Sequence, residues 1–270
     1  MVYSPDSSVN PLKRLSKGRS QREYSPKRTK RKPNKTPPVP GTPNASVLEL
    51  SIANSCSISE FIEHYYPKPQ GVYTGKNGKE YNITTQTSST LKKGQFVRCF
   101  NLIEETSGAD YKASSSGWDT KVKEAEMKEE DMKYLLVTEA KQHSPEPAEK
   151  QVETKKDSPT EILAFLSFML SFEEGEPVVY IYEVHLDKSV RGIGLGKYMM
   201  QFAEAIGKKV GVTKSMLTVF TRNTNAESFY RMLGYREDVQ SPLERRLRGG
   251  KVKRPEYFIF SKDLGLDELA

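Results

Sequence analysis

Six residues, Arg191-Gly192-Ile193-Gly194-Leu195-Gly196, constrain the fold of this 270-residue chain more than any other stretch. They follow an apolar strand-like run, Val178–Leu186. They open a helical pattern over Leu195–Lys209 in which Leu195, Met199, Phe202 and Ile206 share one face. A strand must therefore feed a helix through a glycine-rich turn. A helix N-terminus presents unpaired N–H groups and the positive end of its dipole. Gly194 and Gly196 carry no side chain that would hold a phosphate away from those groups, and Arg191 can add a charge-assisted contact. The turn, with Gly192, Ile193, Leu195 and Lys197, reads as a pyrophosphate cradle. A Walker A loop is excluded, because Tyr198 stands where its Ser/Thr belongs and Arg191 where its first glycine belongs. A dinucleotide fingerprint is excluded by the glycine spacing. As a string, (Arg/Gln)-x-x-Gly-x-Gly arises by chance in about one chain in eight of this length, so the turn needs support from its surroundings.

Around it the pattern alternates strand and helix. Val47–Tyr65 reads as a helix broken at Pro67, and Gln95–Glu104 as a strand or strand-to-helix passage. Met132–Thr138, Ile162–Phe172 and Val178–Leu186 read as strands, Ser215–Phe220 as a strand, Asn225–Leu233 as a helix and Tyr257–Ser261 as a closing strand. Antiparallel strands followed by strand–helix–strand–helix predict a mixed sheet with helices on its faces.

About thirty residues past the turn comes Asn223-Thr224-Asn225-Ala226-Glu227-Ser228-Phe229-Tyr230-Arg231-Met232-Leu233-Gly234-Tyr235. The turn and this segment, in this order with a strand between them, resemble the two cofactor motifs of the GCN5-related N-acetyltransferase (GNAT) superfamily. Further stretches are similar to the N-terminal acetyltransferase D (NatD) family: Ser116-Gly117-Trp118 with the Lys/Glu-rich run after it, Ala164-Phe165, Tyr180-Ile181-Tyr182-Glu183-Val184-His185-Leu186, Leu195-Gly196-Lys197 and Met216-Leu217-Thr218-Val219-Phe220. The likeness covers roughly residues 95–261. It implies an α/β fold with a mixed, mostly antiparallel central sheet, splayed at the cofactor site and flanked by helices on both faces. It also implies acetyl-CoA as cosubstrate without a metal, and the Ser-Gly N-termini of histone H4 and histone 2A as acceptors.

The resemblance assigns roles residue by residue. The backbone of Val184, His185 and Leu186 would pair with the pantetheine arm like an added strand, and a bulge or splay there would free the Val184 N–H for the thioester oxygen. Asn223 and Phe229 would contact the cofactor, and Tyr230 would stand near its sulfur as a proton donor, with packing as the alternative. Glu183 is expected as a water-assisted base or amine-orienting carboxylate and Tyr182 as a contact to the first acceptor residue. Tyr111, Trp118, Glu173, Tyr180, Thr218 and Tyr257 complete the expected peptide site. Taken without the resemblance, Tyr180 and Tyr182 are ordinary strand aromatics. Alternation along a strand puts them on one face with Val184 and Leu186, and Glu183 on the other unless a bulge intervenes. Other readings remain: a GNAT enzyme acting on lysine side chains or small amines, or a non-catalytic chromatin- or ribosome-binding protein with a relict fold.

Charge is unevenly spread. Residues 1–45 hold eleven Lys/Arg against Asp6 and Glu23, a net of +9, whereas the whole chain is +7 and residues 46–270 are therefore at −2. This Lys/Arg/Pro/Ser-rich tail has no apolar period and reads as disordered. Its run from Pro26 to Pro33 is suited to nuclear import or to a polyanion such as the ribosome or a nucleic acid. Residues 46–270 would form the acetyltransferase domain, with a mobile insert at about 139–160 and a loop at about 240–255. The longest apolar run, Ile162–Leu170, is too short to span a bilayer, and no apolar signal-peptide core is seen near Met1. Two cysteines, Cys56 and Cys99, cannot form a disulfide framework, which fits a reduced compartment. Nucleus and cytoplasm are the expected locations.

Overall fold

A computed structural model describes residues 45–67, 71–140, 161–246, 248–250 and 252–265. The basic tail up to residue 44 and most of the predicted insert, 141–160, lie outside the described residues.

The chain begins with α1 (Ala45–Ser55) and α2 (Ile58–Tyr65), then β1 (Val72–Thr74) and β2 (Glu80–Thr87). Next come α3 (Lys93–Ala113), α4 (Thr120–Met127), β3 (Lys133–Glu139), β4 (Ala164–Glu173) and β5 (Glu176–Leu186). A 3₁₀ turn at Lys188–Val190 leads to α5 (Leu195–Lys209), β6 (Lys214–Phe220) and α6 (Thr224–Met232). Short strands β7 (Arg236–Glu237), β8 (Arg245–Arg246) and β9 (Val252–Lys253) precede β10 (Tyr257–Asp263). Eight strands form one sheet in the order β1-β2-β3-β4-β5-β6-β10-β7, while β8 and β9 form a separate ribbon. Every neighbour pair in the large sheet is antiparallel except β5–β6, which is parallel. This is the expected mixed, mostly antiparallel sheet with helices on both faces.

Each face of the sheet has its own core. On one side α1, α2 and α5 cover Leu135, Leu166, Val179, Ile181 and Leu217. On the other, α3 and α4 cover Tyr134, Phe165, Tyr180, Tyr182 and Met216. Helix α5 has the predicted boundaries, since Leu195, Met199 and Ile206 are all fully buried.

Two local expectations need correction, and one run without a prediction takes up a helix. Gln95–Glu104 is neither a strand nor a passage into one but the interior of α3. Val97, Cys99 and Phe100 look strand-like locally, yet the buried residues Cys99, Leu102, Ile103 and Tyr111 recur at helical spacing, and tertiary burial decides. Val47–Tyr65 is two helices, because Ser57 caps α2 through a reciprocal box with Glu60. The Lys/Glu-rich run after Trp118 folds as α4, started by Asp119 accepting from the N–H groups of Lys121 and Val122.

Candidate active site

Two features open the sheet at its centre. The parallel pairing of β5 with β6 ends at Ile181↔Leu217, so β5 from Tyr182 to Leu186 has no β6 partner. The antiparallel pairing of β4 with β5 skips one residue, with Phe168 opposite Ile181 and Ser167 opposite Glu183. Tyr182 is the bulged residue. The bulge resets side-chain alternation. Tyr180 and Tyr182 pack in the α3/α4 core and Ile181, Val184 and Leu186 on the α5 side. Glu183 joins the tyrosines' face, where it meets Tyr111 and Lys123. The bulge that the sequence left conditional is therefore what aims Glu183.

Backbone direction follows from one hydrogen bond. The Asp187 N–H donates to the Leu163 carbonyl at 2.8 Å, toward β4. Amides alternate along a strand, so those of His185 and Glu183 also face β4, and those of Val184 and Leu186 face the opening beside β6. The expected oxyanion donor, the Val184 N–H, thus points into the splay.

The glycine turn borders this opening. Gly192 and Gly194 have φ of +77° and +92°, a region that side chains with a Cβ rarely adopt. Gly194 is the N-cap of α5, and a Cβ on it would lie 2.5 Å from the Tyr73 hydroxyl. That hydroxyl donates to the Ile193 carbonyl at 2.7 Å, and the Lys76 N–H donates to the same oxygen at 3.2 Å. The β1–β2 hairpin thus braces the turn from outside the sequence motif. Gly196 faces Phe229 Cζ and Leu186 Cδ1, where a Cβ would sit at 3.4 and 3.7 Å. Ile193 and Leu195 bury their side chains, while Lys197 is exposed. Arg191 is exposed and lays its Nε on the Leu186 carbonyl at 3.1 Å. The Asn223 side-chain oxygen caps α6 by accepting from the Ala226 N–H at 3.0 Å, a structural duty that was not foreseen.

The other side of the opening is a buried polar network. Glu183 Oε1 accepts from Lys123 Nζ at 2.8 Å and from the Tyr111 hydroxyl at 3.1 Å. Glu183 Oε2 meets His185 Nε2 at 2.5 Å. The Thr106 hydroxyl donates to the Leu102 carbonyl at 2.7 Å and sits 2.5 Å from His185 Nδ1. Lys123 Nζ also donates to Glu126 Oε1 at 2.6 Å and to the Tyr111 hydroxyl at 2.7 Å. Burial alone would raise the Glu183 carboxyl, but Lys123 and then His185 outweigh it and hold it down at about 2. Burial pushes the Glu126 carboxyl up to about 7, Lys123 opposing and the Glu183 charge adding to it. Burial would lower the Lys123 ammonium, yet Glu126, Glu183 and Tyr111 keep it well above its ordinary range. Counting lone pairs, Oε1 of Glu183 is filled and Oε2 retains one acceptor position.

The remaining predicted residues converge here. Tyr180 and Thr218 share a 2.5 Å hydrogen bond, and the Tyr180 and Tyr182 rings stand 5.2 Å apart. Trp118 packs edge-on against Tyr111 at 5.4 Å, and its buried indole N–H has no hydrogen-bond partner among the described residues. Tyr257 belongs to the same core, and burial followed by the Glu256 charge lifts its phenol to about 12. Tyr230 is held well above the ordinary phenol range by burial and then by the Glu183 charge, which places that carboxylate within its electrostatic reach. Tyr111 is buried in the last turn of α3. The three hairpin acids separate: Glu173 is buried, while Glu174 (φ +50°) and Glu176 are exposed around the β4–β5 turn. Cys99 is buried and its thiol pushed up to about 12 by desolvation, which removes it as a thiolate nucleophile.

Sequence reasoning missed Lys123, Glu126, Thr106 and the His185 ring. Lys123, Glu126 and Met127 are the buried positions of α4, at i, i+3 and i+4. That spacing was readable, but two charges at the buried positions disguise the face.

Residues 118–235 match the family model of the acetyltransferase (GNAT) family. This similarity to the acetyltransferase (GNAT) family spans less than half of the chain. A curated relative is N-alpha-acetyltransferase 40 of Saccharomyces cerevisiae, 31% identical over 125 residues, with 36% of this chain and 44% of that protein covered. The alignment thus spans less than half the length of that relative. Among solved structures, the NatC complex bound to Gag peptide and CoA aligns at 13% identity and a TM-score of 0.43, over 68% of this chain and 99% of that one. The ribosomal-protein-S18-alanine N-acetyltransferase of Escherichia coli aligns at 15% identity and a TM-score of 0.42, over 70% and 99%.

Proposed function

We propose that this chain acetylates the N-terminal α-amine of a protein by direct attack on acetyl-CoA in a ternary complex, with the Ser-Gly N-termini of histone H4 and histone 2A as acceptors. One observation carries the reading: the Tyr182 bulge sets the Val184 N–H toward the splay and Glu183 among the tyrosines of the opposite face. The thioester supplies an activated acetyl group. The Gly192–Gly196 backbone and the start of α5 would hold the pyrophosphate, and the Val184 N–H would stabilise the developing oxyanion. The Trp118 indole N–H is left over for a peptide carbonyl.

The acceptor amine decides what Glu183 must do. An α-amine with a pKa near 8 is roughly 10% neutral at pH 7, a lysine amine only about 0.04%. An N-terminal acceptor therefore needs little proton abstraction. A carboxylate held down at about 2 is a weak base, so Glu183 orients the amine through its remaining Oε2 lone pair, and positioning supplies the rate. Tyr230, kept as a neutral phenol, can return a proton to the departing thiolate. The basic tail is proposed to serve import into the nucleus or contact with a ribosome or nucleic acid, with activity in nucleus and cytoplasm. No helix among the described residues is long and apolar enough to cross a membrane.

The test is acetylation of a synthetic Ser-Gly-Arg-Gly-Lys peptide with labelled acetyl-CoA, beside the same peptide blocked at its α-amine. Label should enter the free peptide alone. Equal labelling of the blocked peptide would assign the chain to lysine side chains instead.

A further inference from the structure

The sequence around the β8–β9 ribbon carries the densest run of positive charge in residues 46–270. Residues 244–254 hold Arg245, Arg246, Arg248, Lys251, Lys253 and Arg254 against one acid, Glu244, a net of +5. Residues 46–270 as a whole carry −2, so the body from which the ribbon projects is at −7. Among the described residues Glu244 meets only Arg254, at 3.4 Å. Arg245 stands directly opposite Lys253 in the register, a like-charge pairing that destabilises a ribbon. A two-stranded ribbon is marginal even without that cost. Residues 243–246, 248–250 and 252–254 are all exposed, including Leu243 and Val252. Among the described residues, neither packing nor further counter-ions account for the five cations Arg245, Arg246, Arg248, Lys253 and Arg254 gathered here.

The ribbon's feet are fixed. Buried Ser241 accepts from the Ile259 N–H at 3.1 Å, and the Asp238 N–H donates to the Ile259 carbonyl at 2.8 Å. At the other foot the Thr221 hydroxyl donates to the Pro255 carbonyl at 2.9 Å, and Glu256 accepts from the Ser115 N–H at 2.9 Å. Tyr257, in the peptide-side core, is the next residue. The cations are thus mounted beside the proposed acceptor site on anchored stems.

We propose that this ribbon is a docking arm for the phosphate backbone of a nucleic acid, which holds the enzyme beside an N-terminus projecting from a nucleoprotein particle. Four of the six cations are arginines, whose planar forks match phosphate oxygens two at a time. A two-stranded ribbon also has the width to enter a nucleic-acid groove. An acidic polypeptide would offer carboxylates without that regular spacing. The purpose of the arm rests on the N-terminal acetylation reading, but its binding does not.

The experiment measures anisotropy of a labelled 20-nucleotide RNA and a labelled 20-base-pair DNA with the full chain, across a salt series. The comparison is the triple variant Arg245→Glu, Arg246→Glu, Arg248→Glu. Lys30→Glu, Arg31→Glu, Lys32→Glu reports the tail separately. Arm reversal should weaken binding at least tenfold and reduce the slope of log affinity against log salt by about two to three. Acetylation of a free short peptide should stay within twofold. Unchanged affinity and slope in the arm variant overturn the proposal, as does displacement of the nucleic acid by polyglutamate at equal charge. Loss of peptide acetylation in the wild type with arm binding intact would overturn the enzymatic reading and leave the arm standing.

Discussion

The glycine turn and the buried charge network lie on either side of one strand and are built differently. The turn works through backbone: positive φ at Gly192 and Gly194, the start of α5 and the Val184 N–H. Its residues are nearly contiguous, and a single helix with a buried apolar face fixes them. The network works through side chains from three elements, Thr106 and Tyr111 on α3, Lys123 and Glu126 on α4, Glu183 and His185 on β5. Backbone placed by a helix tolerates most side-chain changes outside its glycines. A buried charge network does not, because removing one member strands the others.

That contrast can be broken most forcefully at Lys123. Lys123→Met should strip Glu126 of its cation and leave Glu183 with only Tyr111 and His185, at a cost of about 3–5 kcal/mol of stability. Urea unfolding measures it, and adding Glu126→Gln should restore part of the loss. A melting temperature unmoved by Lys123→Met would show that the network is solvated and that the two halves do not differ as claimed.

Next in size is the turn. Gly194→Ala must either adopt the left-handed region or displace Tyr73, at about 1–3 kcal/mol. The acetyl-CoA KM should rise at least tenfold while kcat on bound substrate changes little. Calorimetry showing wild-type cofactor affinity would remove the cradle assignment.

The smallest effects sharpen the role of β5. Glu183→Gln and Tyr182→Phe should each lower kcat/KM at least tenfold, about 1.4 kcal/mol of transition-state stabilisation, with acetyl-CoA affinity unchanged. The Glu183→Gln defect should persist from pH 6 to pH 9, because the carboxylate is already ionised throughout. A defect that shrinks above the amine's pKa would make Glu183 a base. The stability side has a fixed sign. A carboxyl lowered from 4.5 to about 2 stabilises the fold above pH 4.5, and this is lost as pH falls toward 2. Wild type should therefore lose more stability than Glu183→Gln across that window.

The same contrast explains what was legible in the sequence. The α5 boundaries, the strands β3 to β6 and the glycine turn follow from local periodicity and glycine placement, which neighbours in sequence determine. The peptide-side tyrosines were assigned through family likeness, and the structure gathers Tyr111, Tyr180, Tyr182 and Tyr257 in one core. Lys123 and Glu126 could not be read, because a buried ion pair and a solvated one look alike in a Lys/Glu run. Tyr73 was missed because its partner is 120 residues away. Gln95–Glu104 misled because its short-range preferences oppose the long-range burial of α3.

Tyr182 has one more consequence. Remove it, and β5 reads as an unbroken two-beat rhythm: Tyr180, Glu183 and His185 on one face, Ile181, Val184 and Leu186 on the other. Every remaining side chain keeps its side. What changes is the seam. The pairing with β6 stops at Ile181, immediately before the extra residue, and without the twist that residue adds, the two strands could continue to zip together past Leu217. The gap into which Val184 points would close. An ordinary sealed sheet and one with an open seam differ here by a single codon, and that codon encodes the tyrosine at the edge of the seam.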